Sequence, residues 1–286
     1  MICSGLYTAM ITPFDERGKV DETAFQQHIQ NQEKERVDGI VVLGTTGEVP
    51  TLTLKEKERL VSLARKEVKN LHLMVGCGTP STQQTLDNLK WATDLGAQSA
   101  LIITPYYNKP TQEGLYRHYE TLSNAALIPI IVYNIKGRTG VNIETSTLKQ
   151  IAELPQIAGV KESSGDIAQA AAVIYEIKQS RPDFAVLSGD DGLTLPLMAL
   201  GADGVISATS NLVPHKMKQL IQACQKRDFS LAQKFHWELF PLFQALALEP
   251  NPIVIKAAMN QLPRLPLTPL SKQHHKTLQE ALSCLK

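Results

Sequence analysis

The sequence predicts an α/β chain folded as a (β/α)8 TIM barrel with a C-terminal helical extension. Two observations lead there: eight short apolar runs recur up to residue 209 with helix-period segments between them, and beyond the eighth run only helical periodicity remains. The runs are near-continuous in hydrophobicity rather than alternating, the pattern of parallel strands covered on both faces.

In order, the candidate strands are "LYTAMIT" (6–12), "GIVVLG" (39–44), "HLMVGCG" (72–78), "SALIIT" (99–104), "PIIVYN" (129–134), "IAGVKES" (157–163), "FAVLSGD" (184–190) and "GVISAT" (204–209). Helix signals punctuate the segments between them. Thr53 followed by Glu56 is a capping-box pattern, and Gly96 closes "LKWATDLG". Successive βα units with right-handed crossovers favour a closed barrel, with an open doubly wound sheet as the architectural alternative. From Pro214 onward come "HKMKQLIQACQKRD", "LAQKFHWELFPLFQALAL", "IVIKAAMNQL" and "KQHHKTLQEALSCLK", punctuated by "EPNP" and "RLPLTP". Part of this supplies the last barrel helix. Residues 1–225 are therefore read as the barrel carrying the active site, and 226–286 as the helical extension.

Composition narrows the function class. The 286 residues carry 29 Lys+Arg against 28 Asp+Glu, with no extended run of either sign, which argues for a small-molecule ligand over nucleic acid or a membrane surface. Cys3, Cys77, Cys224 and Cys284 are widely spaced, so neither a disulfide framework nor a zinc knuckle is indicated. No segment approaches the roughly 18 apolar residues of a membrane span, and the N-terminal stretch lacks a secretory pattern. The expectation is a cytoplasmic protein.

In such a barrel, reactive groups project from the C-terminal ends of the strands. Lys161, in "GVKES", would sit at or inside the barrel mouth. A lysine buried without a matched partner favours the neutral amine, which attacks a carbonyl carbon. The structural alternative is a side chain that snorkels outward or pairs with the adjacent Glu162. Lys256, in "IVIKAAM", has similar apolar flanks, but its helical context lets the stem run to solvent and ranks it below Lys161. "GTTGE" offers loop amides and the hydroxyls of Thr45 and Thr46, a concavity suited to a carboxylate, or a threonine-capped turn. Tyr133 ends the fifth strand with a phenol for proton transfer, or as a core aromatic. Arg138 is a fork for a carboxylate, or a solvated loop charge. Their joint placement at one rim favours the functional readings. The histidines (28, 72, 118, 215, 236, 274, 275) show no metal-ligand spacing, and Asp190 and Asp191 would repel a phosphate dianion.

The combination "GTTGE", "TPYYNKPTQEGLYRHY", "YN…RTG", "GVKESSGD", "LSGDD", "GVISATSN", "EPNPIVIKAAM" and "RLPLTP" resembles the dihydrodipicolinate synthase (4-hydroxy-tetrahydrodipicolinate synthase) family over nearly the whole chain. "GTTGE" and the lysine are shared with N-acetylneuraminate lyase and 2-keto-3-deoxy sugar-acid aldolases of the wider pyruvate-dependent class I superfamily; the RTG, the tyrosine pair and EPNP look like the synthase. The resemblance implies Schiff-base condensation of pyruvate with L-aspartate 4-semialdehyde in lysine and diaminopimelate biosynthesis. The sugar-acid aldolases, or a silent barrel with a binding role, are the alternatives. It makes Lys161 the nucleophile and Tyr133 the acid/base, linked through Thr45 to a neighbouring subunit's copy of Tyr107. Thr46 would hold the pyruvate carboxylate, Gly189 and Ile206 would line the pocket, and Arg138 would bind the second substrate. No metal or organic cofactor is implied. The assembly implied is a homo-oligomer, a tetramer of two tight dimers.

Two departures from the family pattern stand out. Ile135-Lys136-Gly137 replaces the usual Val-Pro-small stretch before the RTG, removing a proline and adding a cation near Arg138. At Val49, Pro50, Leu54, Lys57, Pro80 and Gln84, members inhibited by L-lysine carry Ser, Ala, His, His, Asn and Glu. Tyr106 is kept, but an effector ammonium loses its counter-charge at position 84 and meets repulsion from Lys57. The resemblance therefore implies weak or absent lysine feedback, since an effector acts only through differential binding.

Overall fold

The computed structural model describes residues 3–285. Eight strands form the sheet: β1 (Gly5–Ala9), β2 (Gly39–Val42), β3 (His72–Gly76), β4 (Ser99–Ile103), β5 (Ile130–Asn134), β6 (Ile157–Glu162), β7 (Ala185–Ser188) and β8 (Gly204–Ser207). All neighbours are parallel, and β1 pairs with β8 through Leu6↔Val205 and Tyr7↔Ile206. That pairing closes the barrel and excludes the open sheet. Every observed strand except β5 ends before its apolar run does, the last residues of the run entering the rim loops.

The helices are α1 (Glu22–Lys34), α2 (Leu54–Glu67), α3 (Thr82–Asp94), α4 (Gln112–Ala125), α5 (Lys136–Thr139), α6 (Thr145–Ala152), α7 (Ile167–Lys178), α8 (Thr194–Ala199), α9 (Pro214–Gln225), α10 (Phe229–Leu246), α11 (Ile253–Ala258) and α12 (Lys272–Ser283). Local chemistry sets their ends. At α2 the Thr53 N–H donates to Glu56 Oε2 at 2.8 Å while the Glu56 N–H donates to Thr53 Oγ1 at 3.3 Å, a complete capping box. After α3 the chain leaves through Gly96 at φ +88°, a left-handed position that glycine adopts without a Cβ penalty.

Two cores result from the strand alternation. Tyr7, Val41, Met74, Leu101, Ile131, Tyr133, Leu187 and Ile206 fill the barrel interior. Ile40, Val42, Leu73, Val75, Ile130, Val132, Val160 and Val186 point outward and pack under the helices. On β5, Ile131 and Tyr133 are thus inward and Ile130 and Val132 outward. The inner set is finished at its top by polar groups, and those define the site.

The segment carrying Arg138, read from sequence as a loop, is helical. After β5, α5 forms a single turn in which the Gly140 N–H donates to Lys136 O at 2.9 Å and the Thr139 hydroxyl donates to Ile135 O at 2.9 Å. The turn supplies through its own backbone the order that a proline would otherwise impose.

Candidate active site

Tyr133 and Lys161 are direct partners across the β5–β6 ladder. The shared register puts both side chains on the inner face, and Lys161 Nζ lies 4.2 Å from the centroid of the Tyr133 ring. Lys161 is 7% exposed, at the floor of an open cavity. It does not snorkel outward, nor does it pair with Glu162. The next residue in a strand faces the other way, and Glu162 there accepts from Asn134 Nδ2 at 3.2 Å and from the Ser164 N–H at 2.6 Å. The amine is left facing the cavity.

That cavity, of about 230 Å³, is lined by seven of the eight residues expected from sequence: Thr45, Thr46, Tyr133, Arg138, Lys161, Gly189 and Ile206. The eighth, Tyr107, is not among them. It is 93% exposed on the loop after β4 with φ +71°. A second cavity of about 190 Å³ continues from Thr45, Tyr133 and Arg138 to Val49, Pro50 and Tyr106.

The "GTTGE" segment folds as a tight turn over Thr45–Gly47. It spends its Gly47 and Glu48 amides on the carbonyls of Gly44 and Thr45, at 3.1 and 3.0 Å. Thr46 is buried at the cavity wall, and its hydroxyl accepts from Asn251 Nδ2 at 2.9 Å. Arg138 stands at the exposed rim and donates from Nη2 to Asn251 O at 3.3 Å. Asn251 therefore touches both Thr46 and Arg138, the two residues expected from sequence to hold carboxylates. Sequence reasoning did not single it out, although "EPNP" carried it.

Further residues have roles that sequence did not reveal. Asp191 Oδ2 accepts from the Ala208 N–H at 3.0 Å, the Thr209 N–H at 2.9 Å and the Thr209 hydroxyl at 2.7 Å. Burial pushes this carboxyl up from the usual range, while hydrogen bonds from Ser207 and Thr209 oppose the rise. It braces the loop that leaves β8 just after Ile206. Phe243, Leu246 and Ile255 of the extension line the same cavity, so the extension forms one of its walls.

Lys256 corrects an expectation. Its stem does not run to solvent: it is 0% exposed and ion-paired with Glu48. Burial pulls its ammonium down from the ordinary lysine value to about 8, with Glu48 acting in the opposite direction. Sealed in this way, it has no path to a substrate.

Gly189 is there for space. Its N–H donates to Glu162 O at 2.8 Å, and a Cβ at this position would stand 1.7 Å from Ser163 Oγ, 2.8 Å from Lys161 Cε and 3.0 Å from Lys161 Cγ. We expect Gly189→Ala to stay folded and to lose about 10²-fold in kcat/KM, the usual effect of misplacing a reacting group by about 1 Å. Parent-like kinetics in a folded G189A protein would show that the amine has room to move.

A buried amine against a phenol, beside a hydroxyl-bearing turn and beneath an arginine, suits imine chemistry on a small oxo acid. Comparison with known proteins agrees. The sequence pattern of the dihydrodipicolinate synthetase family matches residues 2–285. The chain is 50% identical over 290 residues to 4-hydroxy-tetrahydrodipicolinate synthase of Protochlamydia amoebophila, covering 99% of this chain and 97% of that one. Its fold is similar to dihydrodipicolinate synthase of Thermotoga maritima, with a TM-score of 0.97, 41% identity and 99% and 98% of the two chains covered. It is also similar to the chloride-inhibited Acinetobacter baumannii enzyme complexed with pyruvate, with a TM-score of 0.95, 37% identity and 99% and 98% covered. With sequence and fold matched along nearly its whole length, this chain belongs to the dihydrodipicolinate synthetase family.

Proposed function

We propose that this chain condenses pyruvate with L-aspartate 4-semialdehyde to give 4-hydroxy-tetrahydrodipicolinate, in lysine and diaminopimelate biosynthesis. The observation that carries the reading is the Lys161 amine, buried at the cavity floor 4.2 Å from the Tyr133 ring and directly paired with it in register. The amine adds to the keto carbon of pyruvate, water leaves, and an imine forms. The protonated imine draws electrons from the methyl carbon, which loses a proton to give an enamine. That carbon attacks the aldehyde, and attack of the second substrate's amine on the imine carbon closes the ring and frees Lys161. Tyr133 moves the protons, with Thr45 as its relay. Thr46 and its turn hold the pyruvate carboxylate, Gly189 and Ile206 shape the pocket beside it, and Arg138 takes the second substrate's carboxylate. No metal or organic cofactor is required by these steps.

The exposed Tyr107 supports an oligomeric reading. A ring left out of its own site is placed to serve a neighbour's, which supports a symmetric homo-oligomer of at least two chains, and the family resemblance extends this to a tetramer built as two tight dimers. Sedimentation should show an assembly of at least two chains, and a fully active monomer would remove Tyr107 from the relay. Among the described residues no helix is long and apolar enough to cross a membrane, and the four cysteines are free. We place the enzyme in the cytoplasm, acting on small molecules and without nucleic-acid or membrane partners.

The test is product formation from pyruvate and aspartate semialdehyde, measured beside cleavage of N-acetylneuraminate and 2-keto-3-deoxygluconate. Condensation should dominate and should fall sharply in Arg138→Leu, chiefly through KM for the semialdehyde. Preferred cleavage of either sugar acid would overturn the assignment. The same assay should be indifferent to L-lysine: Val49 and Pro50 line the neighbouring cavity, where they offer an ammonium no counter-charge. Steady inhibition by sub-millimolar L-lysine would refute that expectation.

A further inference from the structure

Glu48 and Lys256 form a fully buried ion pair between the turn after β2 and helix α11. Both ends are held further. Glu48 Oε2 accepts from the Arg264 N–H at 2.8 Å, and Lys256 Nζ donates to Leu262 O at 3.0 Å while lying 4.0 Å from the centroid of the Phe14 ring. Arg264 stacks on the same ring at 4.2 Å, and its Nη2 donates to Glu56 Oε1 at 2.8 Å and to Gly18 O at 2.6 Å. Glu48 occupies the left-handed region at φ +53°, where the Thr45–Gly47 turn ends.

A dry ion pair is a poor source of stability, because desolvating two charges costs about as much as their attraction returns. What it does well is fix one arrangement of the segments it joins. Here those segments meet again at the cavity. Only Gly47 separates Glu48 from Thr46, and the Lys256 N–H donates to Pro252 O at 2.9 Å in the turn that begins beside Asn251. Asn251 reaches Thr46 Oγ1 at 2.9 Å and accepts from Arg138 at 3.3 Å.

We propose that Lys256 is a positioning residue for the condensation. Through Glu48 it locks the Thr45–Gly47 turn and Asn251 against each other, so that Thr46 and Arg138 present a fixed pair of carboxylate sites. The inference rests on the reading of Thr46 and Arg138 as carboxylate holders. It also gives the extension a part in the chemistry: the extension sets the spacing at which both substrates are held.

The test uses the full-length oligomer with Lys256→Met/Glu48→Gln, which removes both charges and nearly keeps the volume, and with Glu48→Gln alone, which still accepts the Arg264 N–H. Each is titrated for competent sites by borohydride trapping at saturating pyruvate, so that misfolded protein is not counted, and then assayed for kcat and both KM values. The expected result is near-complete trapping with KM for pyruvate and for the semialdehyde each raised about 10-fold, equivalent to about 1.4 kcal/mol of binding, and a smaller change in kcat. A merely structural pair would lower the melting temperature and leave the KM values of titrated sites unchanged, and that outcome overturns the proposal. If the double variant does not fold, the Glu48→Gln values decide by the same criterion. Failure of the underlying reading is separately visible: Thr46→Val and Arg138→Leu would then leave both KM values unchanged in the otherwise unaltered chain.

Discussion

Lys161→Ala is expected to lower kcat by about 10⁴-fold or more, the scale on which removal of a covalent nucleophile is felt. Among the described residues no other lysine lines the cavity. Lys256 is sealed against Glu48, and Lys136 lies on the exposed α5 turn beyond the rim. Borohydride reduction of the parent in the presence of pyruvate should place an adduct of pyruvate mass on the peptide carrying Lys161, and none should form on that peptide in K161A. An adduct on a different lysine, or none in an active parent, would refute the Schiff-base reading and would leave the silent-barrel alternative standing.

Tyr133→Phe should be the next most damaging change. It removes only the hydroxyl; the ring that packs 4.2 Å from the amine stays, so the barrel interior loses no volume. A loss of about 10²- to 10⁴-fold in kcat is expected, the range for removing a general acid/base. Pyruvate trapping should be slower but should still reach completion, because the amine and the carboxylate site remain. Near-parent turnover in Y133F would confine Tyr133 to packing and would require another route for the protons.

Much of this was legible in the sequence, for identifiable reasons. A parallel strand covered on both faces must be apolar throughout, so the eight runs mark the barrel and a polar group at the end of a run marks the rim. Tyr133 and Lys161 were found in this way, and their direct pairing in the β5–β6 ladder joins the two signals. The "GTTGE" and "RTG" segments were found as polar loops following such runs. Lys256 shows where that reasoning weakens. Its apolar flanks resemble those of Lys161, but in a helix apolar flanks do not specify where a long side chain ends. Only the packed structure brings Glu48 and Phe14 around the amine.

Asn251 could not be placed from sequence for a related reason. Its partner Thr46 lies 205 positions away, and a contact at that separation leaves no periodicity behind. Tyr107 was assigned outside its own chain's site by resemblance alone, and the structure adds its exposure. The sequence by itself determined the barrel, the strand that delivers the nucleophile and the family. Those depend on local hydrophobic pattern and on residues at strand ends, which are read position by position. Tertiary structure alone decided which buried lysine faces a cavity, that the C-terminal extension walls the site, and that an ion pair ties that wall to the Thr46 turn. Burial and long-range pairing are properties of the closed chain, set when distant segments exclude water together.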